Sequence, residues 1–224
     1  MLKVLFQSRR TLLSAFGGDT VQIQKTAEGL EKLGVRVEID ILGTADPRAF
    51  DVVHLFNLMR PQETWRAAMR AREVGKPVVL STIFGPYTEL DREVRRGLVG
   101  WMARHFSPDY FELAKIVGRW VVNGEYHPGL PRFLIRGVHR AQEDILANCS
   151  VLLPNSLGEA VRVATHFPEA AAKPFVVVPN AVDPDLFTAD HHCEHCQEVE
   201  AQFGSQIVLC VARIESRKCQ LELA

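Results

Sequence analysis

The sequence contains no run of 18 consecutive apolar residues, and its first residues lead directly into an apolar strand without a cleavable leader pattern. Neither a membrane-spanning helix nor a secretory signal peptide is therefore predicted. Excess charge is also lacking, because 26 Lys and Arg residues stand against 27 Asp and Glu residues, for a net charge of −1. Since so balanced a chain has no global field for nucleic acid, no such partner is expected, and any anionic ligand needs a local site.

Cysteine is scarce: the 224 residues include five, an odd number, in a chain long enough to form a core without disulfides. This usage favours a reducing, cytoplasmic location. The stretch from His191 to Cys196 combines three histidines with one Cys-x2-Cys pair. Because no second pair matches it, a solvated loop is favoured over the alternative of a zinc site, and neither a metal nor another cofactor is predicted.

What the chain does have is 47% hydrophobic residues, arranged in apolar strands that alternate with helical stretches. The predicted strands are Leu2–Gln7, Val35–Ile41, Asp51–Phe56, Pro77–Thr82, Ser150–Pro154 and Phe175–Val178. The predicted helices are Val21–Leu33, Pro61–Val74, Glu89–Arg104, Pro131–Ala147 and one that Ser156 opens in a capping box with Glu159. This alternation predicts an α/β fold with a doubly wound parallel sheet of six or seven strands, whose ligands bind beyond the carboxyl ends of the strands.

The same pattern predicts a domain organisation. Residues 1–183 form a Rossmann-like N-terminal domain, and the polar residues 184–206 form a linker. Residues 207–224 restart with an apolar strand, and only 18 residues follow Gln206. Because so short a piece cannot bury a core of its own, we expect it to be the first strand and helix start of a second, truncated α/β domain.

Three motifs in this order carry a family resemblance. Gly17-Gly18-Asp19 joins the first strand to the first helix, VVVPNAVDPDLF spans residues 176–187, and VLCVARIESRK spans residues 208–218. Together they resemble the family-4 (group 1) retaining glycosyltransferases of the GT-B fold, over the whole chain. That fold has two Rossmann-like domains facing each other across a cleft, and the resemblance implies that this chain is the N-terminal domain and the start of the second.

The resemblance also implies a function and a set of site residues. The N-terminal domain receives a sugar, lipid or small-molecule acceptor, and the second domain binds a nucleotide-sugar donor without a metal. Arg213 and Lys218 match the family's donor diphosphate ligands. The acceptor and donor cleft is expected to include Gly17, Gly18, Asp19, Thr82 and Asn180.

The chain departs from the family in three places. Ala212 and Cys219 stand where glycines usually flank the diphosphate ligands, no histidine follows the fourth strand, and the paired-glutamate motif is not in the sequence. No catalytic residue is therefore named, and the chain alone is expected to be inactive. His54 lies within a buried strand, so we interpret it as a core histidine rather than a general base.

Each of these interpretations has an alternative. A Gly-Gly pair before a helix lets backbone amides approach a phosphate or hydroxyl, but it also suits a tight turn that binds nothing, and Asp19 also suits a helix cap. Asp40 ends the second strand as in dehydrogenases, although the first turn lacks Gly-x-Gly-x-x-Gly. A non-catalytic binding or scaffolding domain is the other alternative. The amphipathic Glu89–Arg104 stretch suits peripheral contact with an anionic membrane, although packing on the sheet is favoured.

Overall fold

The computed structural model describes residues 1–85, 101, 105–123, 130–185, 187, 194–204, 206–208, 210–212 and 220. The chain divides into two compact units, Met1–Asn180 and Ala181–Ala224. Among the described helices, none has the length and apolar character needed to cross a membrane.

The first unit contains one all-parallel sheet, in the order β2-β1-β3-β4-β5. Its strands are β1 (Lys3–Gln7), β2 (Arg36–Asp40), β3 (Val52–Phe56), β4 (Val78–Ser81) and β5 (Val151–Leu153). The chain leaves β1 toward β2 and then returns to pair β3 on the other side of β1, so the winding direction reverses between β1 and β3. The prediction of an α/β fold with a doubly wound parallel sheet is therefore confirmed.

Seven α-helices occur in the described residues. They are α1 (Gly18–Lys32), α2 (Pro61–Glu73), α3 (Pro108–Asn123), α4 (Leu130–Arg136), α5 (Val138–Asn148), α6 (Leu157–His166) and α7 (Glu194–Phe203). Short 3-10 helices cover Pro47–Ala49 and Pro168–Ala172. Pro61 occupies the first position of α2, where its missing N–H costs nothing. The side chain of Ser156 caps α6 by accepting the N–H of Glu159 at 3.1 Å, as predicted, but the carboxylate of Glu159 accepts the N–H of Asn155 instead of completing the capping box.

Hydrophobic clusters cover both faces of the sheet, as the continuous apolar strands require. On one face, Ile23 and Ala27 of α1 pack with Phe6 and Phe56. On the other face, helices α2, α5 and α6 pack over a larger cluster that includes Leu55, Leu80, Ala68, Ile145 and Val163. Burying the sheet on both sides leaves its carboxyl and amino edges as the places where polar groups gather.

Three predictions about this unit are wrong in detail. The single helix predicted over Pro131–Ala147 is two helices, because Gly137 adopts a φ of 85°, which ends α4 before α5 begins. Helix α3 was not predicted at all. The sixth strand over Phe175–Val178 is reduced to an isolated parallel bridge between Leu152 and Phe175, so the described sheet has five strands. The predicted helix Glu89–Arg104 lies outside the described residues apart from Trp101.

The second unit contains one described helix, α7, within the segment predicted to be a linker. Gly204, with a φ of 85°, follows that helix, and its N–H donates to the carbonyl of Glu200 at 2.8 Å. A turn precedes it, in which the N–H of Phe187 donates to the carbonyl of Asp183 at 2.9 Å. The segment 184–206, predicted to be a linker, therefore contains a helix, and the described residues of 206–212 lie in no strand.

Candidate functional site

The candidate site lies at the carboxyl edge of the sheet, where the winding direction reverses. The Gly17-Gly18 turn connects the end of β1 to the start of α1, and Thr82 directly follows β4. Both features therefore lie at the carboxyl edge, as predicted. A doubly wound sheet binds its ligands in the crevice at this point.

A buried arginine holds the loop between β1 and α1. The side chain of Arg9 is 7% exposed, and its Nε and Nη2 donate to the two carboxylate oxygens of Asp19 at 2.7 and 3.0 Å. The same guanidinium donates to the carbonyls of Thr11 and Ala15, both at 2.7 Å, and to the hydroxyl of Thr20 at 3.1 Å. Because the planar guanidinium of Arg9 is hydrogen-bonded on all sides, it fixes the path of the loop between β1 and α1.

Asp19 is consequently a structural partner of Arg9 rather than an open ligand. Desolvation by burial acts to raise the pKa of its carboxyl group, but the hydrogen bond and charge of Arg9 outweigh it, so the pKa is lower than its usual 3.8. Arg60, at the start of α2, adds to this lowering. Asp19, predicted to line a cleft, therefore shapes the loop between β1 and α1.

The two glycines of the turn have different surroundings. A Cβ on Gly17 would lie 3.0 Å from Oδ1 of Asp19 and 3.8 Å from Nη2 of Arg9, whereas a Cβ on Gly18 would have no heavy atom within 4 Å. The N–H of Gly17 donates to the hydroxyl of Thr20 at 3.2 Å, which closes the first turn of α1. Gly17 therefore makes room for the Arg9–Asp19 pair, and Gly18 faces open space at a helix N-terminus.

This difference gives a first prediction. We expect Gly17→Ala to lower the free energy of unfolding by about 1–2 kcal/mol, because the new methyl group crowds the Arg9–Asp19 pair. Gly18→Ala should instead be neutral or stabilising by up to about 1 kcal/mol, because alanine is the better helix former. Urea unfolding of both variants measures the difference, and equal stabilities would contradict these roles.

A second network joins the loops after β4 and β5. The side chain of Glu159, in α6, is 6% exposed and accepts hydrogen bonds from the hydroxyl of Thr82 and from the N–H of Phe84 at 2.7 Å. Its other oxygen accepts the N–H of Asn155 at 2.8 Å. The amide of Asn155 in turn accepts a hydrogen bond from Gln22 of α1 at 2.9 Å. Glu159 thus connects three segments of the carboxyl edge.

Thr82 is buried by this network. It is 1% exposed, its hydroxyl is engaged by Glu159, and it lines an apolar cavity of about 170 Å³ with Leu152 and Phe175. Next to it, Ile83 has a φ of 40°, a strained conformation for a β-branched residue. The predicted cleft residue therefore holds the loop in place and does not present its hydroxyl at the surface.

Two polar residues on the strands are occupied internally. The ring of His54 stacks on Phe56 with centroids 4.1 Å apart, its Nε2 lies 2.9 Å from Oγ of Ser81, and burial lowers its pKa to about 3. It is thus the core histidine that we expected. The carboxylate of Asp40 accepts three backbone N–H groups of its own loop, those of Leu42, Gly43 and Ala45. That arrangement leaves the dehydrogenase alternative without its ribose-binding carboxylate.

Of the remaining predicted site residues, Asn180 is the one that the structure describes, and it follows a segment in which the N–H of Val178 donates to the carbonyl of Pro154, just after β5, at 2.9 Å. Asn180 is exposed at the end of the first unit. Arg213 and Lys218 lie outside the described residues, as do His191, His192 and Cys193. Within the residues that the structure does describe, no cluster of His, Cys, Asp or Glu has the makings of a metal site.

Comparison with known proteins does not identify the chain. It matches no protein-family model, and no curated protein is significantly similar to it. The function must therefore be proposed from the geometry and the motifs of the chain itself.

Sequence reasoning missed the two residues that organise the site. Arg9 carries a local signal, because a basic residue two positions after a buried strand stands ten residues before an acidic residue at a helix start. Glu159 was identified only as a capping residue, and its partner Thr82 is 77 residues away in the sequence. A contact at that separation follows from the order of the strands and not from any local pattern.

Proposed function

We propose that this chain is the acceptor-side part of a retaining GT-B glycosyltransferase, which transfers a hexose from a nucleotide sugar to a hydroxyl group. The observation that carries the proposal is the Gly17-Gly18 turn at the switch point of a parallel sheet, with open space above Gly18 at the start of a 15-residue helix. The helix N-terminus supplies a partial positive charge and backbone donors for an oxygen-rich ligand. The Pro179–Phe187 and Arg213–Lys218 motifs support the same assignment.

In this proposal the two buried networks act by positioning. The Arg9–Asp19 pair keeps the glycine turn in one conformation, and Glu159 keeps the loop after Thr82 in place. Such a fixed surface lowers the entropy lost when an acceptor is oriented. Gly18 and Asn180 are the predicted cleft residues that remain accessible to a ligand.

Donor activation is assigned to Arg213 and Lys218. As the bond between the anomeric carbon and the diphosphate oxygen breaks, the acceptor oxygen bonds to that carbon and its proton leaves with the diphosphate. Negative charge grows on the leaving diphosphate, and two fixed cations stabilise it more in the transition state than in the ground state.

This assignment gives a second prediction. In a polypeptide that carries this chain with a complete donor-side domain, Lys218→Ala should remove about 2–4 kcal/mol of transition-state stabilisation, a fall of about thirty- to thousand-fold in kcat. Arg213→Ala should behave similarly, and Arg213→Lys should restore activity only in part because the planar fork is lost. Full activity in both alanine variants would remove the two residues from the donor site.

The overall proposal is tested by assaying transfer from UDP- and GDP-sugars to a panel of acceptors. We expect the 224-residue chain to show no transfer, because the donor pocket needs both walls of the cleft, and the polypeptide with a donor-side domain to be active. Gly18→Ala in that polypeptide should fold normally and lose transfer. If the polypeptide with a donor-side domain consumes no donor, the proposal fails, and a non-catalytic binding domain becomes the better description.

A further inference from the structure

The sheet ends on one side at strand β2, which pairs with β1 alone among the described strands. The N–H of Arg36 donates to the carbonyl of Leu2 at 2.9 Å, and the carbonyl of Asp40 accepts the N–H of Ser8 at 3.2 Å. Because the hydrogen-bonding direction alternates along a strand, the even-numbered residues of β2 bond to β1. The odd-numbered residues therefore point their N–H and C=O groups outward.

These outward backbone groups have no partner in the part of the chain that the structure describes. The N–H and C=O groups of Val37 and Ile39 take part in no hydrogen bond there, and neither does the carbonyl of Val35. The strand contains no proline, and its pairing with β1 runs over five residues without a bulge. Proline and bulges are two of the devices that protect a sheet edge, so this edge is open to another strand.

The side chains of β2 differ between the two faces of the sheet. Arg36 and Glu38 are exposed on one face, and neither forms an ion pair with another described residue. On the other face, Val35 and Val37 pack against the cluster under α1, and Ile39 remains 37% exposed. The edge thus carries one positive and one negative charge two residues apart, beside an incompletely covered apolar side chain.

The backbone limits the ways in which β2 pairs with a second copy of itself. In an antiparallel pair of identical strands, the two-fold axis passes through one residue, because only then do outward-pointing residues face each other. With the axis at Val37, the N–H of each Val37 donates to the carbonyl of the other. The N–H of Ile39 then donates to the carbonyl of Val35 in the second copy, and the exposed Ile39 side chain is covered by that valine.

The charges select this axis over its neighbours. With the axis at Val37, Arg36 of each copy lies directly opposite Glu38 of the other, which gives two attractive pairs. With the axis at Glu38, two identical carboxylates would lie opposite each other. With the axis at Ile39, Glu38 would lie opposite Asp40, which repels it.

We propose that two copies of this chain associate through the edge of β2, antiparallel and about a two-fold axis at Val37. The association joins the two five-stranded sheets into one continuous sheet. Its contacts are the outward backbone groups, the two Arg36–Glu38 pairs and the Ile39–Val35 contacts, so the interface is small and the dimer is of the weak, reversible class. The carboxyl edge of the sheet stays open, and the proposal is independent of the proposed transferase activity.

The first test is sedimentation equilibrium of the 224-residue chain at low ionic strength, from about 10 µM to about 1 mM, a range that brackets weak association. We expect the average mass to rise from the 25.1 kDa of one chain toward twice that value. The expected Kd is about 100 µM, and added salt should weaken the association. A mass that stays at one chain throughout, or that rises past two chains without a limit, overturns the proposal.

Charge reversal tests the register. Arg36→Glu and Glu38→Arg each place like charges opposite one another in both pairs, so each variant should self-associate at least about tenfold more weakly than the parent chain. An equimolar mixture of the two variants restores opposite charges in both pairs and should form a heterodimer with about the parent affinity. Arg132→Glu, exposed on α4, is the matched control and should dimerise like the parent chain. If the mixture stays monomeric, or if Arg36→Glu dimerises as well as the parent chain, the register is refuted.

Amide hydrogen exchange locates the interface in the parent chain. The N–H groups of Val37 and Ile39 should be protected at about 1 mM and should exchange faster on dilution to about 10 µM, because only the second copy bonds them. The N–H of Glu38, which bonds to β1, should be protected at both concentrations. If dimerisation leaves the exchange of Val37 and Ile39 unchanged, the interface lies elsewhere and the proposal is wrong.

Discussion

Replacing Glu159 by alanine should lower the free energy of unfolding by about 3–5 kcal/mol, because three hydrogen-bond donors lose their acceptor. The side chain is 6% exposed, and its removal leaves the hydroxyl of Thr82 and the N–H groups of Phe84 and Asn155 without their acceptor. Each unsatisfied donor costs about 1–3 kcal/mol, and the costs are not additive because the loop relaxes. Urea unfolding followed by circular dichroism measures the change.

The conservative variant Glu159→Gln separates shape from charge. It fills the same space but presents an NH₂ group where a carboxylate oxygen accepted hydrogen bonds, so we expect an intermediate loss of about 2 kcal/mol. Glu31→Ala, on the exposed side of α1, is the matched control and should change stability by less than about 0.5 kcal/mol. Equal stabilities of Glu159→Ala and the control would show that the network contributes little.

The central strands of the sheet could be predicted from the sequence because they are buried on both faces. A run such as Val52–Phe56 is apolar apart from His54 and is bounded by polar or turn residues, so no helical period competes with it. Five predicted strands therefore match within two residues at each end. The segment Phe175–Val178 has a similar composition, and the N–H groups of Val176 and Val178 donate to the carbonyls of Leu152 and Pro154, but a single bridge forms. Composition does not reveal how far the pairing of two segments extends.

The helices were harder to predict where one amphipathic stripe continues across a break. The pattern of Pro131–Ala147 persists through Gly137, and only the positive φ of that glycine separates α4 from α5. Helix α3 begins at Pro108 after Ser107, whose hydroxyl accepts the N–H of Tyr110 at 3.5 Å, so a start signal was present in the sequence.

The site was predictable as a location but not as a set of contacts. A Gly-Gly pair between a strand and a helix marks the carboxyl edge, and the position of Gly17-Gly18 followed from that rule alone. Which polar side chains turn inward depends on packing. Asp19 and Thr82 were predicted to face a ligand. Instead, Asp19 is bonded to Arg9, and Thr82 is bonded to Glu159. Buried polar groups must find partners, and those partners are set by tertiary structure.

The buried ion pair at the glycine turn provides the second large effect. We expect Arg9→Met to lower the free energy of unfolding by about 3 kcal/mol at neutral pH, because the carboxylate of Asp19 remains half-buried without its guanidinium. Methionine keeps most of the volume of the side chain, so the loss reflects charge and hydrogen bonds. Lys25→Met, which breaks the exposed Lys25–Glu28 pair, is the control and should cost less than about 0.5 kcal/mol.

The pH dependence of this effect identifies Asp19 as its cause. Because Arg9 holds the pKa of Asp19 below its usual 3.8, the stabilisation is fully present above that value and is lost as the pH falls through the lowered pKa. In Arg9→Met the desolvation, which favours the protonated form, is opposed by the N–H of Thr20 and the charge of Arg60 but no longer by the guanidinium of Arg9. The stability difference between the parent chain and the variant should therefore be largest at neutral pH and shrink as the pH falls below 3.8. A difference that stays constant from neutral to acidic pH would mean that Arg9 stabilises the turn through its bonds to Thr11, Ala15 and Thr20 instead.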